Sequence, residues 1–204
     1  STPVPMYRDL IRRHREEGLD FSKVRSFNLD EYLGLPPDHP ASYRRFMDEQ
    51  LFDHINIPKS STRLPDGMTK DIAAHCAAYE AEIRAAGGID IQVLGIGSDG
   101  HIGFNEPSDR FYYGTQVVDL TRSTIEANRR FFESEDQVPR QAISLGTGGI
   151  MNAREIVLVA FGHGKAQAVK KMIKGDVDPQ VQASILKLHP NAVILLDQEA
   201  ASLL

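Results

Sequence analysis

The chain has 204 residues, 41% hydrophobic and 25% charged, an ordinary globular composition with enough apolar material for a sizeable core. Lys and Arg number 23 against 28 Asp and Glu, a net charge of −5, and no basic block stands out, so nucleic acid is not an expected partner. A single cysteine, Cys76, excludes an internal disulfide and a Cys-based zinc site, and no apolar run approaches the ~18 residues that span a bilayer. No signal peptide is read at the start. The expected setting is soluble, reducing and cytoplasmic.

In chain order, residues 3–17 read as a helix, with proline at the entry, Met6, Leu10 and Ile11 on one face, and Gly18 after it. "KVRSFNLDEY" reads as a strand ending in the acids of Asp30 and Glu31. "HPASYRRFMDEQLFDHI" and "KDIAAHCAAYEAEIRAAGG" carry helical spacing, and Cys76 in the second reads as a packed core residue. "IDIQVLGIG" is an apolar run feeding a glycine turn, which suits a buried parallel strand.

"TQVVDL" follows as a strand and "RSTIEANRRFFES" as a helix. "RQAISLGTGGI", "REIVLVAFGHG" and "NAVILLD" are further apolar runs, the last two flanking a helix at "KAQAVKKMIKG". Strands alternating with helices predict an α/β fold with a mostly parallel sheet covered on both faces, in one domain spanning residues 1–204. Ligands of such sheets bind beyond the carboxyl ends of the strands. That rule selects Asp30–Glu31, the loop 95–107, the glycines at 146–149 and "GHGK" at 162–165 as walls of one crevice.

The loop "GIGSDGHIGFNEP" opens as G-x-G-x-x-G, with Asp119 about 20 residues on, the outline of a dinucleotide fingerprint. The third glycine of that fingerprint must open a helix, whereas "HIGFNEPSDRFYYGT" carries Gly103, Pro107 and Gly114 and no 3.6 period. "FGHGKA" likewise has neither the spacing nor the hydroxyl of a nucleotide-triphosphate loop. Asp99, His101 and Glu106 offer metal donors, but with one histidine and no H-x-H spacing, and no metal or cofactor is expected. What remains is proton chemistry: a carboxylate beside an imidazole orients it and raises its pKa into the working range.

The stretches "FNLDEYLGLPPDHPASY", "LGIGSDGHIGFNEP", "ANRRFF", "FGHGKA" and "LKLHPN" resemble the glucosamine-6-phosphate deaminase (isomerase) family across essentially the whole chain. The resemblance implies a three-layer αβα, Rossmann-like open sheet and an aldose–ketose isomerisation with deamination of glucosamine 6-phosphate to fructose 6-phosphate and ammonia. It implies a small-molecule sugar phosphate as the partner, without nucleic acid or membrane. Asp30 resembles the base that moves a proton from C2 to C1, and His101 the ring-opening group, supported by Asp99 and Glu106. Arg130 and Lys165, with Ser1 and Thr2, match the groups that hold the 6-phosphate.

Members carry a phosphate-binding turn that begins before Ser1, so a leading strand and outer helix of the family fold are expected to be missing. The allosteric members use basic residues where this chain has Gln116 and Val118, so that regulation is not expected and the oligomeric state stays open, monomer or homo-oligomer. The alternatives are a 6-phosphogluconolactonase-type hydrolase, whose loop runs toward S-L-F-P rather than "IGFNEP", and a non-catalytic sugar-phosphate sensor. Glu31 is expected to position Asp30, and His14, His39, His54, His75, His163 and His189 to be structural or surface residues.

Overall fold

The computed structural model describes residues 2–204. Helix α1 (Val4–Glu17) starts behind Pro3 and stops at Gly18, whose φ of 75° only glycine adopts freely. Its apolar stripe of Tyr7, Leu10 and Ile11 packs on Met47 and Phe52. The expected strand over 23–32 divides into β1 (Ser26–Phe27) and β2 (Asp30–Tyr32), because β1 pairs in parallel with β3 (Thr62–Arg63) while β2 turns to a different partner. The helix expected from His39 begins at Tyr43. The proline-rich stretch before it runs through turns, the amides of His39 and Ser42 donating to the carbonyls of Pro36 and His39, and the Ser42 hydroxyl caps the Arg45 amide at 3.1 Å, giving α2 (Tyr43–Gln50). Helix α3 (Ile72–Ala85) is capped in the same way by Asp71.

Strand β4 (Ile91–Leu94) precedes the glycine-rich loop, and β5 (Gln116–Asp119) follows it. Helix α4 (Arg122–Asn128) is shorter than its pattern, since the chain tightens into a 3-10 turn at Arg129–Phe131. The run "RQAISLGTGGI" is β6 (Gln141–Ser144) followed by the short helix α5 (Thr147–Met151). Then come β7 (Glu155–Ala160), α6 (Ala166–Lys174) and β8 (Ala192–Leu196), with a 3-10 run at Gln182–Leu188 that has no helical period in the sequence.

The fold is α/β, as expected. Strands β4, β7 and β8 form a parallel sheet in the order β4-β7-β8, whereas β2, β6 and β5 form an antiparallel one in the order β2-β6-β5. On the parallel sheet Ile156, Leu158 and Ala160 alternate into a core shared with Val169 and Met172 of α6. The other side is more open: Val193 and Leu195 of β8 are exposed. A second core, around Tyr32, Phe104, Leu120 and Ala142, backs the antiparallel sheet. The glycine-rich loop leads from β4 of the parallel sheet toward β5 of the antiparallel one, and its residues line a cleft.

Candidate functional site

A cleft of about 210 Å³ is lined by Asp30 from β2, by Gly97, Asp99, His101, Gly103 and Phe104 of the loop, by Tyr43, by Ser123, Thr124 and Asn128 of α4, and by Lys165. The loop is shaped by its own backbone. Gly97 N–H donates to the His101 carbonyl at 2.9 Å, and Gly100, at φ 97°, reverses the chain. A side chain on Gly97 would put its Cβ 2.4 Å from the His101 ring and 2.7 Å from Asp99 Oδ1, so this glycine makes room for the histidine. Asn105 Nδ2 donates to the carbonyls of Ile102 and Leu145, both at 2.9 Å, and staples the loop to the end of β6. Gly103, at φ 59°, lets the loop come within contact of Asp30: a Cβ there would lie 3.4 Å from Asp30 Oδ2.

His101 stands between two acids. Its Nδ1 lies 2.8 Å from Asp99 Oδ1 and 3.3 Å from Glu106 Oε2. Neither approach is well aligned with the ring N–H, so charge attraction outweighs directed hydrogen bonding here. Burial disfavours the charged imidazole, but the two carboxylates overcome it and raise its pKa to about 9. Burial also works against an ionised Asp99, yet the contacts with His101 prevail and hold it at about 2. Glu106 is nearly enclosed, and its Oε1 accepts a hydrogen bond from the Thr124 hydroxyl. The donor atoms of Asp99, His101 and Glu106 lie within 4.8 Å of one another, a spacing that would also hold a divalent cation. With its pKa raised to about 9, His101 is charged at neutral pH and sets a positive charge against both acids.

Asp30 has the opposite surroundings. Among the described residues no donor hydrogen-bonds to its carboxylate. Burial, then the charge of neighbouring Glu31, pushes it up to about 7 while His101 pulls it back. Glu31 faces the other way: its two oxygens accept the backbone amides of Tyr32, Tyr43 and Arg44, so it anchors the start of α2. The expectation that it positions Asp30 therefore becomes a hold on the strand–helix joint beside it.

Lys165, which also lines the cleft, follows β7 and opens α6, with its pKa lowered by burial and by Arg130 against the pull of Asp99. Arg130 is exposed on the turn after α4, its guanidinium 4.8 Å from the Phe131 ring centroid. Thr2 sits by the start of the loop, its Oγ1 3.6 Å from where a Cβ on Gly95 would be. Ser1 lies outside the described residues. The glycines at 146–149 do not line the cleft. Gly146 and Gly148 instead admit the chain at 112–114, since a Cβ on Gly146 would lie 2.4 Å from the Gly114 carbonyl.

Of the expected histidines, His189 is the buried one, its Nε2 2.8 Å from the Ala153 carbonyl. Tyr43, Thr124 and Asn128 are cleft residues that the sequence reading passed over. No catalytic spacing marks them, although Tyr43 lies inside "PASY" and Asn128 inside "ANRRFF".

The model of the family described as glucosamine-6-phosphate isomerases/6-phosphogluconolactonase matches residues 1–195. The chain belongs to this family. It is 52% identical to a glucosamine-6-phosphate deaminase of Clostridium perfringens (strain SM101 / Type A) over all of its own length and 84% of that protein's. It is equally identical to the deaminase of Thermoanaerobacter pseudethanolicus, covering 81% of it. Among solved structures, a monomeric glucosamine-6-phosphate deaminase, 43% identical, superposes with a TM-score of 0.97 over the whole chain and 85% of its own. A 6-phosphogluconolactonase from Thermotoga maritima, 22% identical with a TM-score of 0.74, covers 96% of this chain and 81% of its own, and shares the fold. Among the described residues no helix is long and apolar enough to cross a membrane.

Proposed function

We propose that this protein converts glucosamine 6-phosphate and water into fructose 6-phosphate and ammonia. The observation that carries the reading is a carboxyl with no hydrogen-bond donor among the described residues, Asp30, poised near neutrality in one cleft with a histidine charged by two acids. Deaminases at 52% identity over the full chain support it.

His101 gives a proton to the ring oxygen as the C1–O5 bond breaks and is recharged from the C1 hydroxyl, with Asp99 and Glu106 balancing its charge. Asp30 then takes the proton from C2 and returns it to C1 through an enolamine. A base titrating near the working pH serves both halves of that transfer. The resulting C2 imine takes up water and expels ammonia. Lys165 and Arg130, with Thr2 at the loop start and with Ser1, hold the 6-phosphate. An Arg fork and a desolvated ammonium are suited to a dianion.

We read the chain as a single domain, since β2 of the antiparallel sheet and the segments that follow β4 and β7 of the parallel one line the same cleft, and as a cytoplasmic enzyme, in keeping with one buried free cysteine. The buried contact between Glu106 and His101 favours amino-sugar chemistry over lactone hydrolysis, which gives that acid no task. The test is ammonia release from glucosamine 6-phosphate beside hydrolysis of 6-phosphogluconolactone. Ammonia without lactone hydrolysis is expected, and the reverse would overturn the reading.

A further inference from the structure

Glu106 divides its carboxylate between two neighbours. Oε2 faces His101 Nδ1 at 3.3 Å, while Oε1 accepts the Thr124 hydroxyl and, at 3.5 Å, the backbone amide of Thr121. Thr121 caps α4: its Oγ1 accepts the Thr124 amide at 3.3 Å and donates to Thr124 Oγ1 at 3.1 Å. In a capping box, an acid three residues into the helix reaches back to the cap's own amide. Here Thr124 holds that third position, and Glu106, from a different loop, serves the amide in its place. Thr124 is buried, at 5% exposure.

This geometry has a consequence for the histidine. With Oε1 held by the Thr124 hydroxyl of α4 and the amide of its cap Thr121, the carboxylate cannot rotate freely, and Oε2 is the oxygen left for His101. A hydrogen bond to a charged group is stronger than one between neutral groups, so the hold is firm. The same short helix carries Asn128 at the cleft and leads into the turn of Arg130.

We propose that Thr124 is a positioning residue: its hydroxyl locks Glu106 so that Oε2 faces His101, tying the ring-opening histidine to the first turn of α4. The catalytic part of this statement rests on the role given to His101 above, whereas the positioning part does not. The charged groups around His101 are Asp99 and Glu106 from its own loop and Asp30 from β2, with Lys165 acting on Asp99.

The experiment compares T124V and T124S in the whole chain. Valine keeps the shape and loses the donor, while serine keeps the donor. T124V is expected to lower kcat by about ten- to a hundredfold with KM little changed. The His101 ring, titrated by NMR without substrate, is expected to move down in pH, because Glu106 is released. T124S is expected to restore both. Where T124V fails to fold by circular dichroism, T124A removes the same donor and is read in the same way.

A folded donor-less variant with unchanged kcat and unchanged His101 titration would overturn the proposal. So would a rise in KM at constant kcat and constant titration, which would mark Thr124 as a substrate contact. If H101Q keeps full activity while T124V still shifts the titration, the ring-opening role fails and the positioning stands.

Discussion

Asp30 and Asp99 are the same side chain on two walls of one cleft, and their surroundings drive them in opposite directions. Asp99 is held at about 2 by the imidazole it touches, despite its burial. Asp30 has no donor among the described residues, stands beside the buried negative charge of Glu31, and rises to about 7. The loop wall supplies partners and the strand wall withholds them. A carboxylate that is fully satisfied orients and charges a neighbour, and one that is deprived becomes a base. Each of the following changes is aimed at one side of that contrast.

The largest effect is expected from the deprived side. Asp30→Asn keeps the size and removes the basicity, and kcat is expected to fall by about 10²–10⁴ with substrate affinity nearly intact, as read by steady-state kinetics and by direct binding. A variant that turns over normally would move the base elsewhere in the cleft.

On the partnered side, Gly97→Ala tests the space reserved for His101. The added Cβ meets the imidazole at 2.4 Å and must push it off both acids. A displacement of about 1 Å costs on the order of 10² in rate, and activity together with His101 titration reads it. Normal titration of His101 in this variant would show that the loop yields instead of the ring.

The smallest effect is on stability, and its sign separates the two walls. The folded-state pKa of Asp30 is raised from 3.8 to about 7, so its contribution is present below the unfolded value and lost as pH rises to the folded one. Asp30→Asn is therefore expected to melt higher than the parent near pH 8, with the gap closing near pH 4. The pKa of His101 is raised from 6.5 to about 9, so its stabilisation is full below the lower value and lost as pH rises through the upper. His101→Gln is expected to melt lower than the parent near pH 6 and to converge with it above about pH 9. Thermal melts across that range decide both.

The fold class, most helices and the segments that bring Asp30, Asp99, His101 and Lys165 to one cleft were readable from local signals. Proline, capping residues and glycine mark α1, α3 and α6, and the acid–histidine–acid loop announces itself by composition. Pairing was not readable in the same way. Nothing in "RQAIS" distinguishes an antiparallel partner for "DEY" from a parallel one, because both want alternating or continuous apolar residues, and register is fixed by long-range contacts such as Asp30 opposite Ser144.

The glycines at 146–149 misled for a related reason. They sit after a strand, as binding glycines do, but their missing side chains admit the backbone of residues 112–114. Thr124 and Asn128 lie on a helix whose spacing shows only an ordinary polar face. They acquire a role when α4 is laid against Glu106 and the cleft.

The division of labour between the two walls is tested most directly by solvent deuterium. In D₂O the parent enzyme is expected to place deuterium at C1 of fructose 6-phosphate, since the proton carried by Asp30 exchanges with solvent between C2 and C1. Asp30→Asn is expected to abolish that label even after incubation long enough to bind and open the sugar, whereas Glu106→Gln is expected to slow its appearance without removing it. Full deuterium incorporation by Asp30→Asn would contradict the assignment of the deprived carboxylate as the base.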